Sequence, residues 1–398
     1  MRFTLPSNVE YIISTMEKSG YRAHIVGGSV RDFLLGKAPD DFDITTDATP
    51  DETKRVFSDH RTVDTGIKHG TVSLILDGKP YEITTYRVDG EYKDSRHPEN
   101  VSFTRKIEED LARRDFTVNA MAYSPREGII DPFGGRSDLE SRIIRAVGEP
   151  DLRFSEDALR ILRGIRFSAT LGFEIEAETD RALREKAHLL KNVSAERIYI
   201  ELRKTISAAY AYEVIEKYSD ILSDVTATLD KIKLPDRERF TKADYVTRLL
   251  SIFALSSDTP ADSFEKTCRH LHTDNHIREL GCAVLANMES FDFNSDIALT
   301  YALRKLGSEA TEELVKLEIL LGKADETSLA MLEKLLADGA CYRICDLVIG
   351  GSDLIALGFS GREIGSLLEI MLDMVINKKL PNVSEKLINF AENQAKIK

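Results

Sequence analysis

The sequence predicts an α+β protein in which an α/β head gives way to a long all-helical body. Two observations carry this. Before about residue 150, short runs rich in Val, Ile, Thr and Tyr alternate with turns and helices; beyond it, apolar residues recur at helical spacing almost to the end. The early runs are 23–26, 41–45, 71–76 and 81–87, punctuated by Gly27-Gly28, Asp77-Gly78 and Asp89-Gly90. Leu159, Leu162, Ile165 and Phe167 carry the helical period, as do Leu314, Leu317, Leu320 and Leu321, and segments around 256–263 and 292–296 read as interhelical loops.

Composition bounds the function. The 398 residues are 42% hydrophobic and 30% charged, enough for about two to four ordinary domains. No apolar run approaches the roughly 20 residues that cross a bilayer. The first eleven residues lack the basic-then-apolar layout of a signal peptide. Cys268, Cys282, Cys341 and Cys345 are too few for a disulfide framework, so a cytoplasmic protein with no membrane partner is expected. The net charge of −13 argues at first against nucleic acid. It is uneven, however: −5 over residues 1–150, +1 over 151–205 and −9 over 206–398, with arginines clustered at 113–114 and at 160, 163 and 166.

Residues 25–36 run from a strand through Gly27-Gly28 into an amphipathic helix. Backbone N–H groups at such a helix start suit phosphate oxygens; Gly27 and Gly28 permit close approach, Ser29 offers a hydroxyl and Arg31 a charged fork. A plain strand-to-helix connection fits the glycines as well. Asp41 and Asp43 add the chemistry. Two residues apart on a strand, they present carboxylates to one face. Two close carboxylates repel unless protonated or neutralised by a cation, and oxygen-only ligands suit Mg²⁺. Glu82, in the run 81–87, is a third acidic candidate that could share the metal on a neighbouring strand or remain an edge-strand surface residue.

At this point the residues resemble a known family. Gly-Gly-Ser-Val-Arg-Asp (27–32), Leu-Leu-Gly (34–36) and Asp-Phe-Asp (41–43) look like the signature of the DNA polymerase beta-like nucleotidyltransferases. Within it they resemble the class II branch, which holds tRNA CCA-adding enzymes and bacterial poly(A) polymerases. Arg-Arg-Asp-Phe-Thr-Val-Asn-Ala-Met-Ala (113–122), Asp-Pro-Phe-Gly-Gly (131–135), the run 156–167 and Gly-Arg-Glu-Ile-Gly-Ser-Leu-Leu (361–368) are similar to later motifs in the same order. The resemblance is dense to about residue 205 and thin from there to 350. It implies a mixed-sheet catalytic head over 1–147, a helical neck over 148–206 and a tRNA-binding body and tail over 207–290 and 291–398. It also implies CCA addition to tRNA from CTP and ATP, with Asp41 and Asp43 as catalytic metal ligands and Glu82 beside them.

Glu156-Asp157-x-x-Arg160 resembles the family's nucleotide-selecting motif. If the three positions share a helix, Asp157 and Arg160 are neighbours. A carboxylate acceptor beside a guanidinium donor matches cytosine N4 with N3 and adenine N6 with N1. Uracil and guanine reverse that order and leave buried polar groups unpaired, at about 1–3 kcal/mol each. A surface ion pair at helical spacing fits the same residues. Arg163 and Arg166 continue the series but drift by roughly 60° per step. Arg163 reads as a phosphate or orienting contact, and Arg166, turned away from Asp157, as a structural or RNA-backbone residue; the family implicates both in nucleotide binding. Arg114 matches a family nucleotide contact or pairs with Asp110 or Asp115. Residues 90–104 are polar and resemble the loop used for the switch from C to A, or are a plain surface loop.

Cys268, His270, His272 and His276 fit no zinc spacing and are not read as a metal site. Cys341 and Cys345 are expected to pack on one helix face. No His-Asp pair occurs, so the phosphohydrolase domain appended to some relatives is not expected. Two other activities remain open: A-only or poly(A) addition, and a non-catalytic RNA- or nucleotide-binding role.

Overall fold

The computed structural model describes residues 3–90 and 101–396. It divides into two compact units, one reaching Ile221 and the other starting at Leu222.

The first unit contains every described strand: β1 (Ala23–Val26), β2 (Asp43–Thr46), β3 (Thr62–Gly66), β4 (Thr71–Leu76), β5 (Lys79–Thr85), β6 (Arg87–Asp89), β7 (Val101–Phe103), β8 (Ala122–Ser124), β9 (Gly128–Ile130), β10 (Ile143–Ile144) and β11 (Glu174–Ile175). Seven of them form one sheet in the order β3-β4-β5-β2-β1-β8-β9. The sheet is mixed, as expected: β2 and β5 run parallel, with Ile44 opposite Ile83, and the other neighbours are antiparallel. All four residues of β1 are buried, as a central strand covered on both faces requires. β6 and β7 form a separate hairpin, Arg87 opposite Phe103. It closes the segment read as a loop over 90–104, so residues 101–103 are strand; residues 91–100 lie outside the described residues.

Helices α1 (Ser7–Lys18), α2 (Gly28–Leu34), α3 (Pro50–Val56), α4 (Ile107–Ala112) and α5 (Gly135–Ser141) accompany the sheet. α1 buries Val9, Ile12, Ile13 and Met16, an i, i+3, i+4, i+7 stripe, while α3 starts in a capping box of Thr49 with Glu52 and takes Pro50 at its first position. α4 turns Ile107 and Leu111 into a cluster with Val26, Tyr86, Ala122 and Val147. In the Asp-Pro-Phe-Gly-Gly turn a Cβ on Gly135 would lie 2.2 Å from the Thr117 carbonyl oxygen, so only glycine fits where α5 meets 117–119.

From residue 150 the first unit continues as α6 (Pro150–Glu156), α7 (Leu159–Leu171), α8 (Ala177–Lys186), α9 (Ala195–Ser207) and α10 (Ala211–Lys217). The period expected from Leu159 to Phe167 is observed: all four named residues are buried in α7. The parallel pair β10–β11 interrupts the expected run of helices.

The second unit is helical among its described residues. Phe253 and Phe264 meet edge to face at 5.1 Å, and Leu314, Leu317 and Leu320 are buried on Ser308–Leu320. A second cluster gathers Leu354, Met371, Leu372 and Leu387. Two expectations change here. The loop read at 256–263 ends early, because Pro260 opens the helix Pro260–His270. Cys341 and Cys345 share no helix face: they flank a short 3₁₀ turn, Ile344–Asp346, with Cys341 against the second cluster and Cys345 exposed.

Candidate active site

β1 ends at Val26 and the chain turns at Gly27 with φ +71° and ψ −129°, a conformation strained for any residue with a side chain. A Cβ there would sit 2.9 Å from Arg114 Nη1, so the bare backbone is what lets that guanidinium lie against the turn. Gly28 and Ser29 follow in the first turn of α2, where N–H groups lack intrahelical acceptors. Ser29 is buried and its hydroxyl donates to the Val26 carbonyl at 3.1 Å. Its one O–H is therefore used by the turn, and its backbone N–H is the donor left for an anion. Arg31 donates from Nη1 to Asn119 Oδ1 at 2.7 Å and from Nε to Asp32 at 2.9 Å.

β2 begins at Asp43, whereas Asp41 lies in the connection before it. The expectation that both project from one strand is corrected: Asp41 Oδ1 accepts the Phe42 N–H at 2.8 Å, a local turn that competes with strand geometry. The carboxylates still act on one another. Asp43 is exposed, but the protein around it still partly desolvates the carboxylate and pushes its pKa up, with the Asp41 charge adding to the rise and Arg114 opposing it. Phe42, between them, faces Phe33 at 6.0 Å, and Phe33 stacks on Phe3 at 4.7 Å. Extending the β2–β5 register by one residue brings Glu82 level with Asp43 on the same sheet face. Glu82 is exposed, and among the described residues no three acidic, His or Cys groups converge as a metal centre, so it stands beside the pair without closing a triad. In the Cys268–His276 segment, Cys268 is buried and His276 pairs with Glu309.

Arg114 has its Nη2 3.6 Å from Asp110 Oδ2, and it also feels the charge of Asp43. Burial lowers its pKa, with the carboxylates of Asp110, Asp43 and Asp115 opposing.

The base-selecting motif is not one helix. α6 ends at Glu156, Asp157 is extended (φ −140°, ψ +101°), and α7 starts at Leu159. The Arg160 N–H still donates to the Asp157 carbonyl at 3.0 Å, but the two side chains take different partners. Asp157 Oδ1 accepts the Leu159 N–H at 3.1 Å, and Oδ2 accepts from Arg197 Nη2 at 2.8 Å. Arg160 is buried; its Nη1 donates to Glu156 at 2.7 Å and to the Arg153 carbonyl at 3.2 Å, and its Nη2 to the Arg113 carbonyl at 2.9 Å. Arg163 binds Asp115 at 2.6 Å and Arg166 binds Glu201 at 2.7 Å. Arg163 and Arg166 both approach Glu201, and both, with Arg31, lie over the Phe167 ring at 4.1–5.5 Å. Burial opposes ionisation of Asp115, but Arg163, the Phe116 N–H and the Asn119 amide outweigh it and hold its pKa at about 2.

Asp115, Asn119, Arg197 and Glu201 take part although sequence reasoning did not single them out. Asp115 and Asn119 stand inside the 113–122 motif, which was a usable signal. Arg197 and Glu201 are one helical turn apart on α9, which on its own looks like an ordinary surface pair.

Comparison with known proteins places the whole chain in one family. A Poly A polymerase head domain matches residues 23–145, and a tRNA nucleotidyltransferase domain 2 matches 242–391. The chain is 34% identical to the CCA-adding enzyme of Lactobacillus helveticus over 96% of both chains. It is 35% identical to that of Lactiplantibacillus plantarum over 97% of this chain and 96% of the relative. The crystal structure of the Bacillus stearothermophilus CCA-adding enzyme in complex with CTP superimposes with a TM-score of 0.78 at 28% identity, covering 98% of this chain and 97% of that one. With likeness of this extent over its whole length, the chain belongs to the CCA-adding enzymes.

Proposed function

We propose that this chain adds C, C and A to the 3′ end of tRNA, with CTP and ATP as donors and pyrophosphate as the leaving group. The observation that carries the chemistry is the electrostatically coupled pair Asp41 and Asp43 beside the Gly27 turn, with Arg114 against both features. The donors fit Mg²⁺: two exposed carboxylate groups, one with its ionised form disfavoured by partial desolvation and by its neighbour's charge, gain from a hard cation. Bound there, Mg²⁺ would supply activation of the primer hydroxyl and charge neutralisation at the triphosphate. Arg114, Arg31 and the first-turn N–H groups at Gly28 and Ser29 would orient the phosphates. Asp157 and Arg160 would read the base, with Glu156 fixing Arg160; Arg163 and Arg166 would support them through Asp115 and Glu201. Glu82 would tune the carboxylate pair from the adjacent strand.

By function, residues 1–147 would serve as catalytic head, 148–206 as nucleotide-selecting neck, and 207–290 and 291–398 as tRNA-binding body and tail. Four free thiols suit a reducing cytoplasm, and among the described residues no helix is long and apolar enough to cross a membrane.

The test supplies Mg²⁺ and labelled CTP or ATP to three tRNA transcripts, one lacking CCA, one ending in the first C and one ending in CC, and sequences the products. Complete CCA on the first transcript is the expected outcome. Extension of the CC-ended transcript alone would make it an A-adding enzyme, a long A-tail a poly(A) polymerase, and no incorporation a binding protein.

A further inference from the structure

We propose that Asp110 is a positioning residue for nucleotide selection, one carboxylate that sets both the arginine expected at the triphosphate and the arginine expected at the base. The inference rests on the nucleotidyl-transfer reading above and names a residue that reading does not use.

Asp110 lies on α4 with no solvent exposure. Burying an ionised carboxylate costs several kcal/mol, which its ion pairs only partly return, and the neighbouring positions Ile107 and Leu111 show that an apolar residue suits this helix face. A carboxylate at this position therefore needs a reason beyond packing, and its contacts supply one. Oδ1 accepts from Arg113 Nη2 at 2.7 Å and Nε at 3.1 Å, and from the Arg87 N–H at 3.3 Å. Arg113 is thereby fixed, and its backbone carbonyl is the acceptor for Arg160 Nη2 at 2.9 Å. Oδ2 is different: it has no hydrogen bond and faces Arg114 at 3.6 Å, while Arg114 Nε is also buried without a hydrogen-bond partner. Arg114 is held by charge alone and keeps its donors for a ligand. Arg87, the third residue tied to Asp110, opens the β6–β7 hairpin. One side chain thus joins that hairpin, the phosphate-side arginine and the support of the base-side arginine. Burial opposes ionisation of Asp110, yet Arg113 and Arg114 keep its pKa below the usual range, so the charge that organises them is present at neutral pH.

Asp110→Asn keeps the shape and most acceptor geometry but removes the charge. In steady-state assays of the full chain with Mg²⁺ and tRNA lacking CCA, KM for CTP is expected to rise about tenfold, with kcat changing less. The preference for CTP over UTP in kcat/KM is expected to fall about tenfold, because Arg113, tied to a neutral amide instead of a carboxylate, holds the carbonyl that orients Arg160 less firmly. In an Arg114→Ala background the KM effect of Asp110→Asn should vanish while the loss of preference remains. Unchanged KM and preference in a variant that melts like a folded protein, or additive KM effects in the double variant, overturns the inference. If Asp110→Asn does not fold, Arg113→Gln breaks the same tie from its other end; intact CTP preference there overturns it equally. A wild-type chain that transfers no nucleotide at all would instead sink the transfer reading.

Discussion

Asp43 is exposed at the start of β2, yet it binds its proton more tightly in the folded chain than an ordinary carboxyl does, because partial desolvation and the Asp41 charge disfavour the anion by more than Arg114 favours it. A raised carboxyl pKa means that ionisation at neutral pH weakens the fold, and that this part of the stability returns as the pH falls towards the folded pKa. Asp43→Asn removes the cost. Solvent screens most of that cost at an exposed position, so in EDTA at pH 7 the variant is expected to melt no lower than wild type, while nucleotide transfer drops by roughly a thousandfold or more, the scale expected when charge stabilisation of a reaction is removed. Added Mg²⁺ should raise the melting temperature of wild type and leave that of the variant nearly unmoved. A variant that melts lower in EDTA, or that responds to Mg²⁺ as wild type does, would show that Asp43 is an ordinary stabilising residue. Gly27 has the complementary cost: its φ of +71° is tolerated because the site needs Arg114 where a Cβ would stand.

Among the elements, α7 shows both what sequence can give and where it stops. Its apolar period at Leu159, Leu162, Ile165 and Phe167 was readable because burial of one face is a local pattern. The strands at 23–26 and 71–76 were readable for the same reason. The break at Asp157 was not. Glu156, Asp157 and Arg160 look like one helical turn, but Asp157 instead accepts the Leu159 N–H at the start of α7, and tertiary partners, Arg197 for Asp157 and the Arg113 carbonyl for Arg160, hold the two side chains apart. The start of β2 at Asp43 instead of Asp41 likewise depends on a side chain-to-backbone bond that competes with the ladder. α7 is in turn braced to the 115–119 segment by Arg163 and Asp115. The Asp115 pKa of about 2 lies below its ordinary 3.8, so the pair contributes stability in full above pH 4 and loses it as the pH falls towards 2. Arg163→Met leaves Asp115 buried and unpaired. It should cost about 2 kcal/mol at pH 7, below the usual penalty for a fully buried pair because Arg163 is one-third exposed. The gap between wild-type and variant melting temperatures should narrow as the pH is lowered from 7 to 3. A gap that is constant with pH would mean that the pairing charge is not what Arg163 supplies.

For the molecule as a whole, the division of the chain at Ile221 and Leu222 has a consequence for ligand responses. Every residue assigned to metal, phosphate or base lies in the first unit, from Gly28 to Arg166, and the residues that brace them, Arg197 and Glu201, lie there too. The second unit matches a tRNA nucleotidyltransferase domain and carries none of these groups; the net charges, −6 over residues 1–221 and −7 over 222–398, favour neither unit for free nucleotide. Hydrogen exchange should therefore separate the two ligands. CTP with Mg²⁺ is expected to slow exchange at the Gly27 turn, at 113–119 and around Asp157, and to leave the helices beyond Leu222 unchanged, because protection follows the groups ordered by contact. Transfer RNA lacking CCA is expected to add protection in helices of the second unit, since a polyanion the size of tRNA needs more phosphate contacts than the nucleotide site alone offers. Protection of the second unit by CTP alone would place a nucleotide contact outside 28–201. Protection by tRNA confined to the first unit would remove the helical body and tail from RNA recognition and leave their acidic helices without a role in this reaction.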